Sequence, residues 1–330
     1  MRYFARRLIF LIGTLWVAVT VNFLIPRFMP GSPVQTMMAR FRARGNMSAS
    51  TLHAIELMLG ITKGNLFRQY IGYLNQAIHF NFGVSYTYFP YSVRYMIGNA
   101  LPWTLALVGI ATIISFVLGT GLGIVAASHR GKASDGILTT ISSFTNTFPY
   151  FWLGLAALYF LSFVLHWFPL SGAYSASQTP TFSVAFLVDA AYHGVLPALT
   201  IVVSSIGGWL LGMRNNMINT PNEDYVLLAQ AKGLKERWIS WMYVARNALL
   251  PNLTGFAMAL GFVVGGSLLT EIVFDYPGIG YLLYNAVINE DYPLMQGIFL
   301  IIVVCVVLAN FFADLAYVLF DPRVRRGGAE

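Results

Sequence analysis

Hydrophobic positions along this chain come in long blocks, not in short alternations. Six blocks, roughly 8–26, 99–127, 137–168, 195–213, 251–273 and 294–319, are apolar over a membrane-spanning length. A helix needs about 20 such residues to cross a bilayer. The first block follows Arg2, Arg6 and Arg7, as a signal peptide would. Its apolar run exceeds about 15 residues and is followed by "PRFMPGSP", without a small-x-small cleavage site, so it is expected to be a retained anchor. Between the first two blocks, the segment 27–98 mixes Pro, Gly, aromatic and charged residues. Within it "NLFRQYIGYLNQAIHF" (65–80) has apolar residues at helical spacing, which predicts a short helix. The expected organisation is a first span with a long outer segment over 1–98, then a five-span core over 99–330 that carries a charged loop at 214–250.

Composition agrees with an apolar solvent. The chain is 57% hydrophobic and 10% charged, whereas soluble domains carry about 25% charged residues. The class is therefore an all-α polytopic membrane protein. The net charge of +7 raises nucleic acid as a partner, but the charges are placed as membrane topology requires, so no nucleic-acid partner is expected. Loop 128–136 holds Arg130 and Lys132, loop 214–250 holds Arg214, Lys232, Lys235, Arg237 and Arg246, and the tail holds Arg323, Arg325 and Arg326. The short loops 169–194 and 274–293 hold no Lys or Arg. Short loops set orientation, so both termini are expected on the cytoplasmic side. The seven basic residues of 27–98 stand outside in that scheme, which a loop of such length permits. Cys305 is alone, excluding an intramolecular disulfide, and the five histidines lack metal-ligand spacing, so no metal site is expected.

Several chemistries are missing from the sequence. There is no G-x-x-x-x-G-K-[ST] phosphate loop, no H-E-x-x-H and no G-x-S-x-G. The chain is expected to be non-enzymatic: a channel, a self-powered carrier, or a subunit driven by another chain. An ion-coupled carrier needs buried ionisable groups near mid-membrane. Here Glu271 stands near the outer end of the fifth block, and Asp314 near the inner end of the sixth, with Asn310 one turn earlier. These three are the pathway-lining candidates. Glu271 suits pore lining and structural hydrogen bonding equally, while Asp314 suits a hydrogen bond that locks helices. Small pairs four apart, Gly119/Gly123, Gly208/Gly212 and Gly261/Gly265, fit close helix packing, with gating motion as the sharper alternative.

The charged loop contains the most informative pattern, "LLAQAKGLKERW" (227–238). Thr220 reads as an N-cap, Pro221 as the first helical residue and Glu223 as the residue three after the cap. Glu223 and Asp224 suit the positive end of a helix and Lys232 the negative end. Gly233 stands where a left-handed terminator belongs. A second run, "LKERWISWMYVARNALL", predicts another helix along the membrane face, with Pro251 opening the next span. The segment reads either as an interfacial amphipathic helix or as a helix and sharp corner that insert into another protein's groove.

At these residues a resemblance enters. "EDYVLLAQAKGLKERW…ARNALLP" resembles the coupling motif of ABC importer permeases of the peptide/nickel type, B-type subunits. "LGTGLGIVAASHRGK…D", "FPYFWLGL", "HGVLPALT", "EIVFDYPGIGYLL", "DYPLMQGIFLI" and "DLAYVLFDPRVR" follow in that family's order. The chain departs from the general importer motif where Leu227-Leu228-Ala229 replaces Glu-Ala-Ala. The resemblance implies a type I importer permease fold with six transmembrane helices in a prokaryotic cell membrane. It implies a second permease subunit, two ATP-binding subunits and an extracytoplasmic substrate-binding protein. It places ATP and Mg on the partner ATPase, with no cofactor on this chain. It implies ATPase coupling through Glu223, Asp224, Tyr225, Leu228, Ala229, Gln230, Ala231, Lys232, Gly233 and Leu234. Small peptides, nickel chelates and oligosaccharides all remain open as substrates.

Overall fold

The computed structural model describes residues 2–28, 65–220 and 223–320. All regular elements among them are helical. In chain order they are α1 (Arg2–Phe28), α2 (Leu66–Ile78), α3 (Val93–Ser128), α4 (Ala133–Thr147), α5 (Tyr150–Ala157) and α6 (Val184–Asn219). Then follow α7 (Asp224–Ala231), α8 (Glu236–Trp238), α9 (Arg246–Phe262), α10 (Leu268–Val273), α11 (Ile279–Ile288) and α12 (Tyr292–Phe320). Among the described residues, four helical segments are long and apolar enough to cross a membrane: Val93–Ser128, Val184–Asn219, Glu236–Gly265 and Tyr292–Phe311. A bent pair, Ala133–Thr147 with Tyr150–Val164, makes a fifth if it counts as one span, and α1 contributes the shorter apolar stretch Ile9–Ile25. The short helix expected at 65–80 is α2.

Two expectations about the fifth span need correction, and the third block, 137–168, is bent, turning by 90° between Thr147 and Tyr150. Proline drives the residue before it out of the helical region, and Phe148, before Pro149, has ψ 131. The helix expected to lie along the membrane face after Gly233 is continuous with the fifth span. α8 runs through a π-helical stretch, Ile239–Ala245, into α9, and Pro251 lies inside α9 instead of opening it. The fifth span also ends early, at Gly265. Gly266 has φ 72, and the chain restarts as the short helix α10, which holds Glu271.

Close packing of α3 on α6 organises the core. A Cβ on Gly119 would stand 2.6 Å from Trp209 Cβ, and one on Gly123 would stand 2.6 Å from the Leu210 carbonyl oxygen. Hydrogen in place of a side chain lets the backbones approach, as membrane helix pairs require. Gly261 meets Ala309 of α12 in the same way, while Gly208 and Gly265 have only ordinary contacts. In the α6 stretch it is Gly207 that is crowded, against the Ser142 carbonyl of α4 at 2.5 Å.

The two ends of the bundle differ. A basic end gathers Ser128 beside Ser240, and Asp135 against Arg214. The opposite end gathers Gly172 with Phe274, Ser85 with Asp291, and Trp103 stacked on Tyr174. α1 packs on α12 near this opposite end, where Asn22 donates to Tyr73 Oη and to the Gln296 carbonyl.

Candidate functional site

The loop at the basic end is a short helix held by one face. In α7, Val226 and Ala229 are buried and join Met213, Met217, Ile239, Val244, Ala245 and Ala248 in one apolar cluster. Burying a valine side chain contributes roughly 1.5–3 kcal/mol, enough to anchor so short a helix. Leu227 and Leu228 are left exposed, with Gln230, Ala231, Lys232, Gly233 and Leu234 beside them. Ala229, one of the expected coupling residues, therefore faces its own chain, and Tyr225 is half-buried. The exposed surface available to a partner is the remainder of the set. Glu223 caps the N-terminus with extended backbone and Asp224 stands in the first turn, favourably placed against the helix dipole.

Thr220 is not the cap. Its backbone is helical and its hydroxyl donates to the Asn216 carbonyl, so it closes α6. Pro221 lies outside the described residues. The other terminus matches the expectation: Gly233 has φ 72. Its N–H donates to the Gln230 carbonyl at 2.9 Å, and the Leu234 N–H donates to the Ala229 carbonyl at 3.4 Å. These two bonds define a Schellman termination, which satisfies carbonyls that the helix end would leave free.

An ion pair unforeseen in the sequence braces this end. The guanidinium of Arg214 donates to both carboxylate oxygens of Asp135, at 2.6 and 2.9 Å. Asp135 also accepts from the Gly131 N–H, so loop 129–135 is tied to the last turns of α6, just before α7. Such two-pronged pairs fix orientation as well as contributing energy. The sequence showed the acid only as part of a quoted segment, 79 positions from its partner.

At the opposite end the acids brace loops. Glu271 is fully buried. It accepts from the Thr104 hydroxyl at 3.0 Å and from the Tyr281 N–H at 3.1 Å. Gly266, Gly278 and Gly280 leave the space its carboxylate fills, since a Cβ on any of them would press on it. Of the two roles open to it, this arrangement is the structural one: Glu271 is enclosed within this chain and ties α10 to α3 and α11. Asp291 is equally buried and accepts from the Ser85 hydroxyl and the Thr87 N–H (2.8 Å), fixing segment 85–88 to the start of α12. Burial beside Asp291 pushes the Tyr86 phenol up to about 12, so it stays neutral. Asp189 holds Ser175 through its backbone and hydroxyl. Of the other pathway candidates, Asn310 is half-buried on α12 next to Ala309. Asp314 lies on the α12 backbone, and its side chain is outside the described residues.

The family model for "Binding-protein-dependent transport system inner membrane component" matches residues 119–326. A putative peptide permease protein of Brucella ovis is 33% identical over 325 residues, covering 98% of this chain and 99% of that protein. A di/tripeptide transport system permease of Pseudomonas aeruginosa is 33% identical over 336 residues, covering 98% of each. A glutathione transport system permease of Escherichia coli is 29% identical over 325 residues, covering 98% and 99%. Among solved structures, a chain from the inward-facing MetNI methionine ABC transporter aligns with a TM-score of 0.51 and 16% identity. The alignment covers 68% of this chain and 95% of that one, a likeness of fold.

Proposed function

This chain belongs to the binding-protein-dependent transport system inner membrane components, and from that membership we propose that it forms half of an ATP-driven import pathway for small peptides. A second, similar permease supplies the other half. Two ATP-binding subunits sit under the basic end, and an extracytoplasmic binding protein delivers substrate to the opposite end. The names of the relatives, peptide, di/tripeptide and glutathione permeases, favour peptides over nickel chelates or oligosaccharides. The basic end is cytoplasmic, as are both termini, because the short loops at the other end carry no Lys or Arg.

The observation that carries the coupling role is the exposed face of α7. Leu227 (51% exposed) and Leu228 (57%) stand out beside Ala231 and the Gly233 corner. α7 is apolar on its exposed side as well as its buried one; exposed apolar residues on a helix suit a hydrophobic groove, and small residues at the corner let the groove close on it. Glu223, Asp224, Gln230, Lys232 and Leu234 ring that face and would set its register. ATP and Mg would be held by the partner, and this chain would convert the partner's closure into helix movement. A stand-alone channel or carrier has no use for this surface.

One labelling experiment tests orientation and docking together. In a Cys305→Ser background, cysteine is placed at Ser177 or at Ala231, both exposed. A membrane-impermeant maleimide should reach position 177 in intact cells and position 231 only after permeabilisation. The ATP-binding subunits should then protect position 231. The reversed pattern overturns the orientation, and free labelling of position 231 in the assembled complex overturns the docking.

A further inference from the structure

The fifth long helix, which continues the coupling loop into the membrane, carries one polar side chain that reaches two other spans. Asn252 is 7% exposed. Its amide nitrogen donates to the Thr120 hydroxyl of α3 at 3.4 Å and to the Trp209 carbonyl of α6 at 3.3 Å. Its amide oxygen accepts from Asn216 of α6 at 3.5 Å. Asn216 also donates to the Ala248 carbonyl, one turn back along α9, at 3.2 Å. A Cβ on Gly212 would stand 3.1 Å from the Asn252 oxygen, so the missing side chain there makes room for the amide. One turn on, Phe256 stacks on Phe116 of α3 (4.2 Å between centroids), and Trp209 meets Phe116 edge-on at 5.3 Å. Asn252 and this aromatic cluster hold the same three helices together.

The junction is continuous with the loop. Ala248 belongs to the apolar cluster that buries Val226 and Ala229 of α7, together with Ile239, Val244 and Ala245 of the π-helical stretch. A displacement of α7 therefore meets packed side chains as far as Ala248, and the next turn is Asn252. Polar groups are costly among spans and are kept where they pair with one another or with backbone. All three bonds to the Asn252 amide are longer than the usual range of about 2.7–3.2 Å, so they are weak and small helix shifts would tighten or break them.

We propose that Asn252 is a positioning residue: it sets how α9 seats on the α3–α6 pair, and through it movement of the coupling loop reaches those two spans. This rests on the coupling role of α7 proposed above. The bland alternative is that the amide only adds stability.

The test uses the full complex in proteoliposomes, with its binding protein loaded from a tritium-labelled casein hydrolysate, a mixed pool of short peptides. Asn252→Leu removes every bond at similar size, and Thr120→Val removes one. Complex yield, hydrolysis with and without the loaded binding protein, and label uptake are measured for each. The expected result is parental yield and basal hydrolysis for both variants. Stimulation by the loaded protein should fall about fivefold or more in Asn252→Leu, the lower range of ordinary coupling between sites, and less in Thr120→Val. Combining the two should cost no more than Asn252→Leu alone, as for groups in one network. Parental stimulation in both single variants overturns the proposal, and so does a loss of uptake that only follows complex yield. The labelling of position 231 described above reads α7 separately: protection there with parental stimulation in both variants overturns this proposal alone, whereas free labelling there overturns the coupling reading on which it rests.

Discussion

Replacing Gly233 with alanine isolates the backbone requirement of the loop. The residue sits at φ 72, and a Cβ built there meets nothing within 4 Å. No clash contributes, so the cost is the left-handed conformation itself, about 1–2 kcal/mol for an L-residue. Relaxing out of that conformation would give up the Gln230 and Ala229 carbonyl bonds of the termination, each contributing about 0.5–1.5 kcal/mol. Either route draws on a small reserve. An isolated helix as short as α7 is unstable in water, and its buried side chains are Val226 and Ala229, which together supply about 2–4 kcal/mol. A penalty of 1–2 kcal/mol then lowers the population of the docking geometry enough to weaken apparent affinity by roughly twofold to tenfold. Gly233→Asn should recover most of this, because asparagine tolerates the left-handed region. The assay is a binding titration of the purified permease pair against its ATP-binding subunits, with parent, Ala, Asn and Val variants side by side. Equal affinity in all four would mean that the turn is not read by the partner, and α7 would revert to an interfacial helix.

Two more outcomes follow from the buried acids. Asp135→Asn breaks the pair with Arg214, whose side chain is 21% exposed; allowing for that exposure, about 1–3 kcal/mol of local stability is lost. Trypsin should then cut after Arg130 or Lys132 about tenfold faster in permeabilised membranes, and an unchanged rate would show that the pair does not hold the loop. Glu271→Gln turns an acceptor into a donor beside the Tyr281 N–H or the Thr104 hydroxyl, at a cost of about 1–3 kcal/mol. The purified complex should unfold several degrees lower while uptake at permissive temperature stays parental. Altered uptake with unchanged thermal stability would return Glu271 to the pathway.

What the sequence made legible was local. Gly233 could be read because one chemical property, freedom at positive φ, determines where such a helix ends. The short helix α2 and the long apolar helices could be read because apolar spacing is a property of neighbours in the chain. The errors have the same origin. Thr220, Pro221 and Glu223 have the spacing of a capping box, but α6 runs on to Asn219 and takes Thr220 into its last turn, leaving Glu223 to cap α7. The fifth span looked complete to 273 because hydropathy does not register Gly266 as a break inside an apolar run. Its beginning looked like a separate helix because charged and aromatic residues at 235–242 resemble a membrane face, although helical backbone continues through them.

The polar residues were illegible for a different reason. A carboxylate near the end of a span has the same local sequence whether it is wet or enclosed. Enclosure of Glu271 depends on glycines at 266, 278 and 280 and on Thr104, which stands 167 positions away. Asp135 needs Arg214, and Asn252 needs Thr120, 132 positions away. Within an apolar solvent a polar side chain must find a partner or water. Its role is therefore decided by which helix comes to lie beside it, and in this bundle that is decided by where glycine lets backbones meet. Gly119 and Gly123 bring α3 onto α6 at the level where Thr120 and Trp209 receive Asn252. Small residues that read as bland packing thus place the polar contact through which the loop can act on the spans.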